Sequence, residues 1–247
     1  MSALACFLED EGFPTVTIGL IRVHSEKVGN PRSLWVPFEL GRPLGPPNDA
    51  SFQKDVLSTA LNLLTAMPGP VLLEDYPRDD PTAIDIATWR PPFDIVAQEF
   101  DLSDHARLHA ALVDEVRAVA ASYQRFVAAN RRTTFGISGM EIEACAGYLA
   151  AFLATAAPVN PIPSVSPVQA LRWAVDDVKA YYLEAMAAAP GIPASRQVQG
   201  WFWDRTLAAR TIIALRKKLL ASEDKQSQAI GRMSLVPGVQ ALRLGLT

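Results

Sequence analysis

The sequence predicts a small α/β segment followed by an all-α segment in a chain of 247 residues. Residues 1–75 alternate short apolar, β-branched runs with turn residues, whereas residues 103–222 carry apolar residues at helical spacing almost throughout. Residues 76–102 place four prolines among acidic residues, which is typical of a linker or an ordered surface loop. We therefore expect three regions, 1–75, 76–102 and 103–247, with a partly parallel α/β layer packed on a C-terminal helical bundle.

The first region contains signals for two helices and three strands. Gly12 ends the first helix, Pro37 places the second strand at an edge or at its own end, and Asp49 can cap the second helix. A right-handed crossover between parallel strands is the expected topology. The predicted elements are a helix over residues 3–11, strands over residues 14–21 and 33–38, a helix after residue 49, and a strand over residues 71–73.

The last region contains four predicted helices. Each start is marked by a residue that can accept hydrogen bonds from free backbone N–H groups, and Pro167 suits a first helical position. We expect these helices to begin at Ser103, at Ser138 with Glu141, at Ser166 with Gln169, and at Ser195.

Charge and cysteine content exclude several classes of function. Lys and Arg number 23 against 26 Asp and Glu, so the chain has no basic surplus for a nucleic acid or an anionic membrane. Cys6 and Cys145 lack zinc-site spacing, and we expect both to be buried thiols. Without a basic leader or an apolar run of bilayer length, the expected location is the cytoplasm.

Several motifs favour structural roles over chemistry. His105 and His109 lie four residues apart, but no glutamate follows the first histidine, so two solvated histidines are expected rather than a metal site. Residues 136–139 resemble a nucleophile elbow without its last glycine, and Ser138 is expected to cap a helix instead. Asp176 and Asp177 are predicted to lie on a solvated ion-pair face. The sequence contains no nucleotide-binding or calcium-binding motif, so no cofactor is expected.

Two segments leave alternatives open. Three arginines in the predicted loop over residues 22–45, Arg22, Arg32 and Arg42, could bind a carboxylate or phosphate at the carboxyl edge of the sheet, with Glu26 fixing one of them. Equally, they could bond loop carbonyls and have a structural role. The aromatic run over residues 201–203 could pack in the core or meet another subunit or a ligand.

The first 75 residues resemble the selenoprotein B family of glycine, sarcosine, betaine and D-proline reductases. The shared pattern is L-E-x-x-G, a P-T-V strand, R-x-x-x-E, P-R, an apolar strand, P-F and L-G-x-P-x-G. The rest is similar to less characterised relatives with T-x-G-x-S-G, D-D-x-K-A-x-Y-L-E-A and W-F-W patterns. In this chain the matches are Leu8 and Glu9 with Gly12, residues 14–16, Arg22 with Glu26, Pro31 and Arg32, residues 34–36, Pro37 and Phe38, residues 40–45, residues 134–139, residues 176–185 and residues 201–203.

The resemblance implies a redox cysteine or selenocysteine just upstream of the first helix. The chain begins where that motif should already have passed, and Cys6 does not map onto the redox position. We therefore expect a second protein subunit to carry the motif, while this chain lines a small-molecule site with Arg22, Glu26, Arg32 and Arg42.

Three hypotheses follow. The first is a subunit of a hetero-oligomeric enzyme related to these reductases. The second is a self-contained, cofactor-free enzyme acting on a small carboxylate or amine, with acid–base chemistry from Glu26, Glu74 or Asp75. The third is a non-catalytic oligomeric binding protein that uses a surface at Trp201 and Trp203.

Overall fold

The chain divides into two compact units, Met1–Ile84 and Asp85–Thr247, called unit 1 and unit 2 below. None of the described helices combines the length and the apolarity needed to cross a membrane. The computed structural model describes residues 2–38, 41–66, 71–81, 83–84, 91–95, 100–155, 158–188, 192–193 and 195–246.

Unit 1 is an α/β unit built on a three-stranded sheet. Asp49 caps its longest helix, as predicted, by accepting a 3.0 Å hydrogen bond from the backbone N–H of Phe52. The described elements are α1 (Ser2–Asp10), β1 (Thr17–Gly19), α2 (Arg22–Val28), β2 (Arg32–Trp35), α3 (Ala50–Asn62) with a 3-10 turn (Leu63–Thr65), β3 (Leu72–Asp75) and β4 (Ala83–Ile84).

The sheet has the order β1-β2-β3, and both pairings are parallel, which confirms the predicted parallel arrangement of the strands. One face of the sheet carries the core of unit 1, which forms around the apolar side of α3. The predicted face of that helix is confirmed, since its members are all buried. The buried core residues are Leu34, Val36, Phe38, Phe52, Val56, Ala60, Leu63 and Tyr76.

The start of the predicted arginine loop is wrong, because Arg22–Val28 is helix α2. This helix gives little signal in the sequence: Ile21 at its N-cap position makes no side-chain capping bond, and its only buried residue is Ser25. A Cβ on Gly19 would lie 2.5 Å from the Ser25 hydroxyl oxygen. The helix therefore follows β1 because Gly19 leaves room for Ser25 to approach the strand.

Unit 2 consists almost entirely of helices. Ser166 caps α6 through the N–H of Gln169, with Pro167 at the first helical position, as predicted. The described elements are α4 (His105–Asn130), α5 (Ile142–Ala154), α6 (Pro167–Met186), β5 (Ile192–Pro193), α7 (Ser195–Arg205), α8 (Leu207–Leu220), α9 (Lys225–Met233) and α10 (Gly238–Arg243).

Three predicted helix boundaries in unit 2 are wrong. Asp104, not Ser103, caps α4, because its carboxylate accepts the Arg107 N–H while Ser103 bonds to Asp101. The predicted last long helix is two helices, α7 and α8, because Thr206 adopts an extended conformation and its hydroxyl caps α8. The third error concerns Ser138.

Ser138 does not cap α5, which begins four residues later at Ile142. Its hydroxyl and backbone N–H instead donate to Asp177 of α6, and the N–H groups of Gly136 and Ile137 do so too, at 2.7 and 2.9 Å. Asp177 is fully buried, so its predicted place on a solvated face is wrong. Asp176 does lie on such a face, with Lys179 at 2.8 Å.

Candidate functional site

The carboxyl ends of the three strands of unit 1 line up at one edge of the sheet. Gly19 at the end of β1 is in register with Trp35 at the end of β2, which in turn is in register with Asp75 at the end of β3. Open α/β sheets bind ligands at this edge. The residues that follow these strand ends are therefore the first place to search for a site in unit 1.

Arg22 joins the two outer strands across the end of β2. It is the first residue of α2, just after β1, and its Nε donates to both carboxylate oxygens of Asp75 at 3.0 and 3.1 Å. Its Nη1 donates to Glu26, one turn later on α2. The hydrogen bond to Asp75 is the main cause that raises the pKa of Arg22. The structure thus brings together three of the predicted residues.

Arg32 lies at the opposite end of the sheet. It is the first residue of β2, three residues or about 10 Å of strand from Trp35. Its buried guanidinium pairs with Glu9 of α1, which also accepts from the Thr15 backbone N–H and hydroxyl. The Thr15 backbone bond, followed by the bond from Arg32, lowers the pKa of Glu9. This geometry matches the structural alternative for Arg32.

Arg42 and Glu74 complete the predicted set. Arg42 is half-buried, and its Nη1 is enclosed without a hydrogen-bond partner in the part of the chain that the structure describes. Glu74 is exposed, and alternation along β3 places it on the face of the sheet opposite to Asp75. The arginines therefore do not converge on one point in the way that the loop prediction assumed.

A second charged cluster at the same edge was missed by the sequence analysis. The hydroxyl of Tyr76, the residue after β3, donates at 2.6 Å to Asp55 of α3, and Arg78 bonds to both side chains. The bond from Tyr76, followed by that from Arg78, lowers the pKa of Asp55, while burial is the main cause that raises the pKa of Tyr76. The cluster could have been found from the sequence by the position of Tyr76 and Arg78, which come shortly after the third predicted strand.

Among the side chains just described at the carboxyl edge, carboxylates outnumber arginines on each face of the sheet. On the α2 face, Arg22 balances only one of the two carboxylates it contacts. On the other face, Arg78 balances Asp55 and leaves Glu74. The charged side chains at this edge are roughly half exposed, so a small cationic group could reach them. An edge of this kind is better suited to an amine than to a carboxylate.

Unit 2 contains a separate cavity of about 770 Å³, within the range of small-molecule sites. Alanines on one face of α4 create the hollow, and the start of α8 closes part of it. Both signs of charge occur in its wall. The charged residues are Asp94, Arg107, Asp114, Glu115, Asp204, Arg205 and Arg210.

Glu115 is the most enclosed carboxylate of this wall. Its oxygens accept from the Tyr182 hydroxyl at 2.7 Å and from the N–H groups of Leu207 and Ala208 at 2.7 and 2.9 Å. Burial is the main cause that raises the pKa of Glu115, while these three hydrogen bonds act in the opposite direction and lower it. In the sequence, the one sign of a buried glutamate here was its position: it lies three residues after Leu112, within the apolar seam of α4.

The described residues include no group of three or more His, Cys, Asp or Glu side chains able to hold a metal ion. His105 and His109 are both exposed, as expected. Cys145 is buried as predicted, but Cys6 is only half-buried, so the prediction of two buried thiols is wrong for Cys6.

The aromatic run over residues 201–203 packs within unit 2. Phe202 and Trp203 are buried, and their rings meet nearly edge-on with centroids 5.1 Å apart. Trp201 is half-buried and packs against Phe93 at 5.5 Å. The three rings therefore form no common exposed surface, and core packing is the correct alternative.

In comparisons with known proteins, no family model, curated protein or solved structure matches this chain.

Proposed function

We propose that this chain is a subunit of a hetero-oligomeric enzyme related to the glycine, sarcosine, betaine and D-proline reductases. In this proposal the carboxyl edge of unit 1 supplies part of a site for a small molecule that carries an amine or a carboxylate. A second protein subunit carries the redox Cys or selenocysteine motif and supplies the nucleophile. Arg22, Glu26 and Asp75 then position the substrate. Arg32 has a structural role, since it pairs with Glu9 of α1.

One observation carries the proposal. Ile21 and Val23, the neighbours of Arg22 in sequence, are 51% and 53% exposed. Apolar side chains of this size, exposed on both sides of a charged site residue, are typical of an interface. Leu4 and Phe7 of α1 and Phe13 after it are also more than half exposed. A partner that covers Ile21 and Val23 would meet the edge at which Arg22 binds Asp75.

The charge of the edge indicates the part of the substrate that binds here. Nη2 of Arg22 makes no hydrogen bond among the residues that the structure describes, so it can donate to a substrate carboxylate. The net negative charge left by Glu26, Asp75 and Glu74 against the single positive charge of Arg22 favours an amine. A molecule that carries both groups suits this edge best.

The experiment is purification of the full chain from its own cells, followed by native mass spectrometry. We expect a complex with a second polypeptide that contains a Cys or selenocysteine motif. The Ile21→Asn/Val23→Asn double variant should lose the partner, because it removes the apolar contact, and Asn suits the N-cap of α2. The matched control is Leu57→Asn/Leu61→Asn, which changes two exposed leucines of α3 and should keep the partner.

Two results would contradict the subunit proposal. One is a monomer or homo-oligomer of this chain that is fully active alone. The other is equal loss of the partner in both double variants. Within an intact complex, Arg22→Gln should raise KM for the substrate, since Arg22 acts in binding.

A second candidate function, a self-contained cofactor-free enzyme, is favoured by the unit 2 cavity. A glutamate with a pKa raised by burial, in the wall of a cavity of ligand size, has the properties of a general acid or base. This candidate moves the acid–base role from Glu26, Glu74 or Asp75 to Glu115. Activity of the lone chain that survives Glu26→Gln and is lost in Glu115→Gln would support it.

A further inference from the structure

A groove of about 530 Å³ lies along α8 in unit 2. One of its walls is a single face of α8, on which residues are spaced by three or four positions. Between two basic residues, this face carries aliphatic side chains that remain partly accessible. The residues of α8 that contribute to this wall are Arg210, Ile213, Ala214, Arg216, Lys217 and Leu220.

The second wall is formed by the turn that ends α10. The N–H of Leu246 bonds to Ala241 O at 2.8 Å and that of Gly245 to Leu242 O at 3.1 Å, the two bonds of a Schellman motif. Gly245 has the left-handed conformation that this motif requires, with φ +64°. Arg216 Nη1 of α8 donates to Leu246 O at 2.6 Å, which fixes this turn beside α8. The groove is thus a defined feature of unit 2.

The groove is apolar along its length and carries only positive charge. No Asp or Glu is among its described lining residues, whereas arginine and lysine are both present. Lys217 is exposed and forms no ion pair in the described parts of the chain. Nε of Arg216 is enclosed and lacks a hydrogen-bond partner among the described residues. The positive charge of Lys217 is therefore not balanced by an ion pair with any described residue.

We propose that this groove binds a free amphipathic anion, a monocarboxylate with an unbranched apolar chain. The chain lies against Ile213, Ala214 and Leu220, and the carboxylate meets Lys217. Charge complementarity selects this class, because an apolar chain without an anion would leave the lysine unpaired. A cation of the same chain length would meet like charge.

The test is binding of decanoate to the full chain by isothermal titration calorimetry, below the concentration at which decanoate forms micelles. Lys217→Glu reverses the charge at the groove and should weaken binding about tenfold. The matched control is Lys225→Glu, which makes the same charge change at an exposed lysine of α9 and should leave binding unchanged. Decyltrimethylammonium, a cation with the same chain, should not bind measurably.

A second variant tests the apolar wall independently of charge. Ala214→Phe fills the groove from its partly accessible helix face, so decanoate binding should be lost while the thermal unfolding of the protein stays unchanged. Equal binding of decanoate and the ammonium compound would overturn the proposal. Decanoate binding that survives both Lys217→Glu and Ala214→Phe would also overturn it.

Anionic vesicles provide the last arm of the test. Phosphatidylglycerol vesicles present the same combination of apolar chains and negative charge as a surface. Suppose that the protein sediments with these vesicles but not with phosphatidylcholine vesicles, and that it does not bind decanoate. This result would show that the groove binds an anionic membrane surface rather than a free ligand, and it would overturn the proposal.

Discussion

Ser138 donates both its backbone N–H, at 2.9 Å, and its hydroxyl to the buried carboxylate of Asp177. Asp177→Asn replaces one carboxylate oxygen by an NH₂ group that faces other donors. The variant should lower the free energy of unfolding of unit 2 by about 2 to 4 kcal/mol. Urea denaturation followed by far-UV circular dichroism measures this loss.

The neighbouring aspartate supplies the control for this prediction. Asp176 is partly exposed, and its bonds are ion pairs with Lys179 and Arg172 at the surface. Asp176→Asn should therefore cost no more than about 1 kcal/mol. Similar losses in the two variants would contradict a structural role specific to Asp177.

The stability of unit 2 should depend on the protonation of Glu115. Burial raises its pKa in the folded state above the ordinary value of 4.5, so the folded state holds this proton more tightly than the unfolded state. The contribution of Glu115 to the free energy of unfolding is therefore most favourable below pH 4.5 and falls as the pH rises through the folded-state pKa. Urea denaturation of the wild type and Glu115→Gln between pH 3.5 and 8 measures it.

The difference between these two proteins isolates the effect from all other carboxylates. Glu115→Gln cannot titrate, so its stability relative to the wild type should increase with pH across this window. Two parallel curves would show that Glu115 does not titrate differently in the folded and unfolded states.

Arg22 and Arg32, two of the arginines of unit 1 that form ion pairs, should differ in their contributions to stability. Arg32→Gln leaves Glu9 without its buried partner and should destabilise unit 1 by about 3 kcal/mol. Arg22→Gln breaks solvent-exposed pairs and should destabilise unit 1 much less than Arg32→Gln does. Amide hydrogen exchange of peptides that cover β2 reports on unit 1 alone. Faster exchange in Arg22→Gln than in Arg32→Gln would reverse the assignment.

The two cysteines should react at very different rates. Burial raises the pKa of Cys145 to about 12, so almost none of it is thiolate at pH 8, and its side chain is fully enclosed. Cys6 is half-buried. Iodoacetamide at pH 8 should label Cys6 in the native protein and Cys145 only after urea is added, as mass spectrometry of the peptides would show. Labelling of native Cys145 would contradict its enclosure.

The parts of the fold that the sequence predicted correctly have strong local signals. Asp49, and Ser166 with Pro167, mark helix starts through bonds within one turn, and the strands have β-branched or apolar runs between turn residues. The parallel order of the sheet followed from a general rule of chain connection. These features do not depend on residues far along the chain.

The errors occur where a distant residue decides the local structure. Ser138 has the spacing of a helix cap, but Asp177, 39 residues away, takes its hydroxyl and N–H. The helix break at Thr206 has no proline or glycine, and Glu115 holds the new helix start from 92 residues away. The predicted arginine site is not a single site. Arg22 follows the carboxyl end of β1, whereas Arg32 is the first residue of β2, so the two side chains lie at opposite ends of the sheet.

Two of the carboxylates of α6, Asp177 and Glu184, also determine when the segment before α5 can acquire its shape. Asp177 and Glu184 stand two turns apart, and between them they bind the backbone of Thr134, Gly136, Ile137 and Ser138. None of these four residues belongs to a helix or strand, yet three of their amides point at a buried anion. The amides of Gly136, Ile137 and Ser138 should therefore exchange more slowly than those of an exposed loop without such bonds. Because the hydrogen-bond partners of these amides lie on α6, the stretch can make its native hydrogen bonds only where α6 is formed.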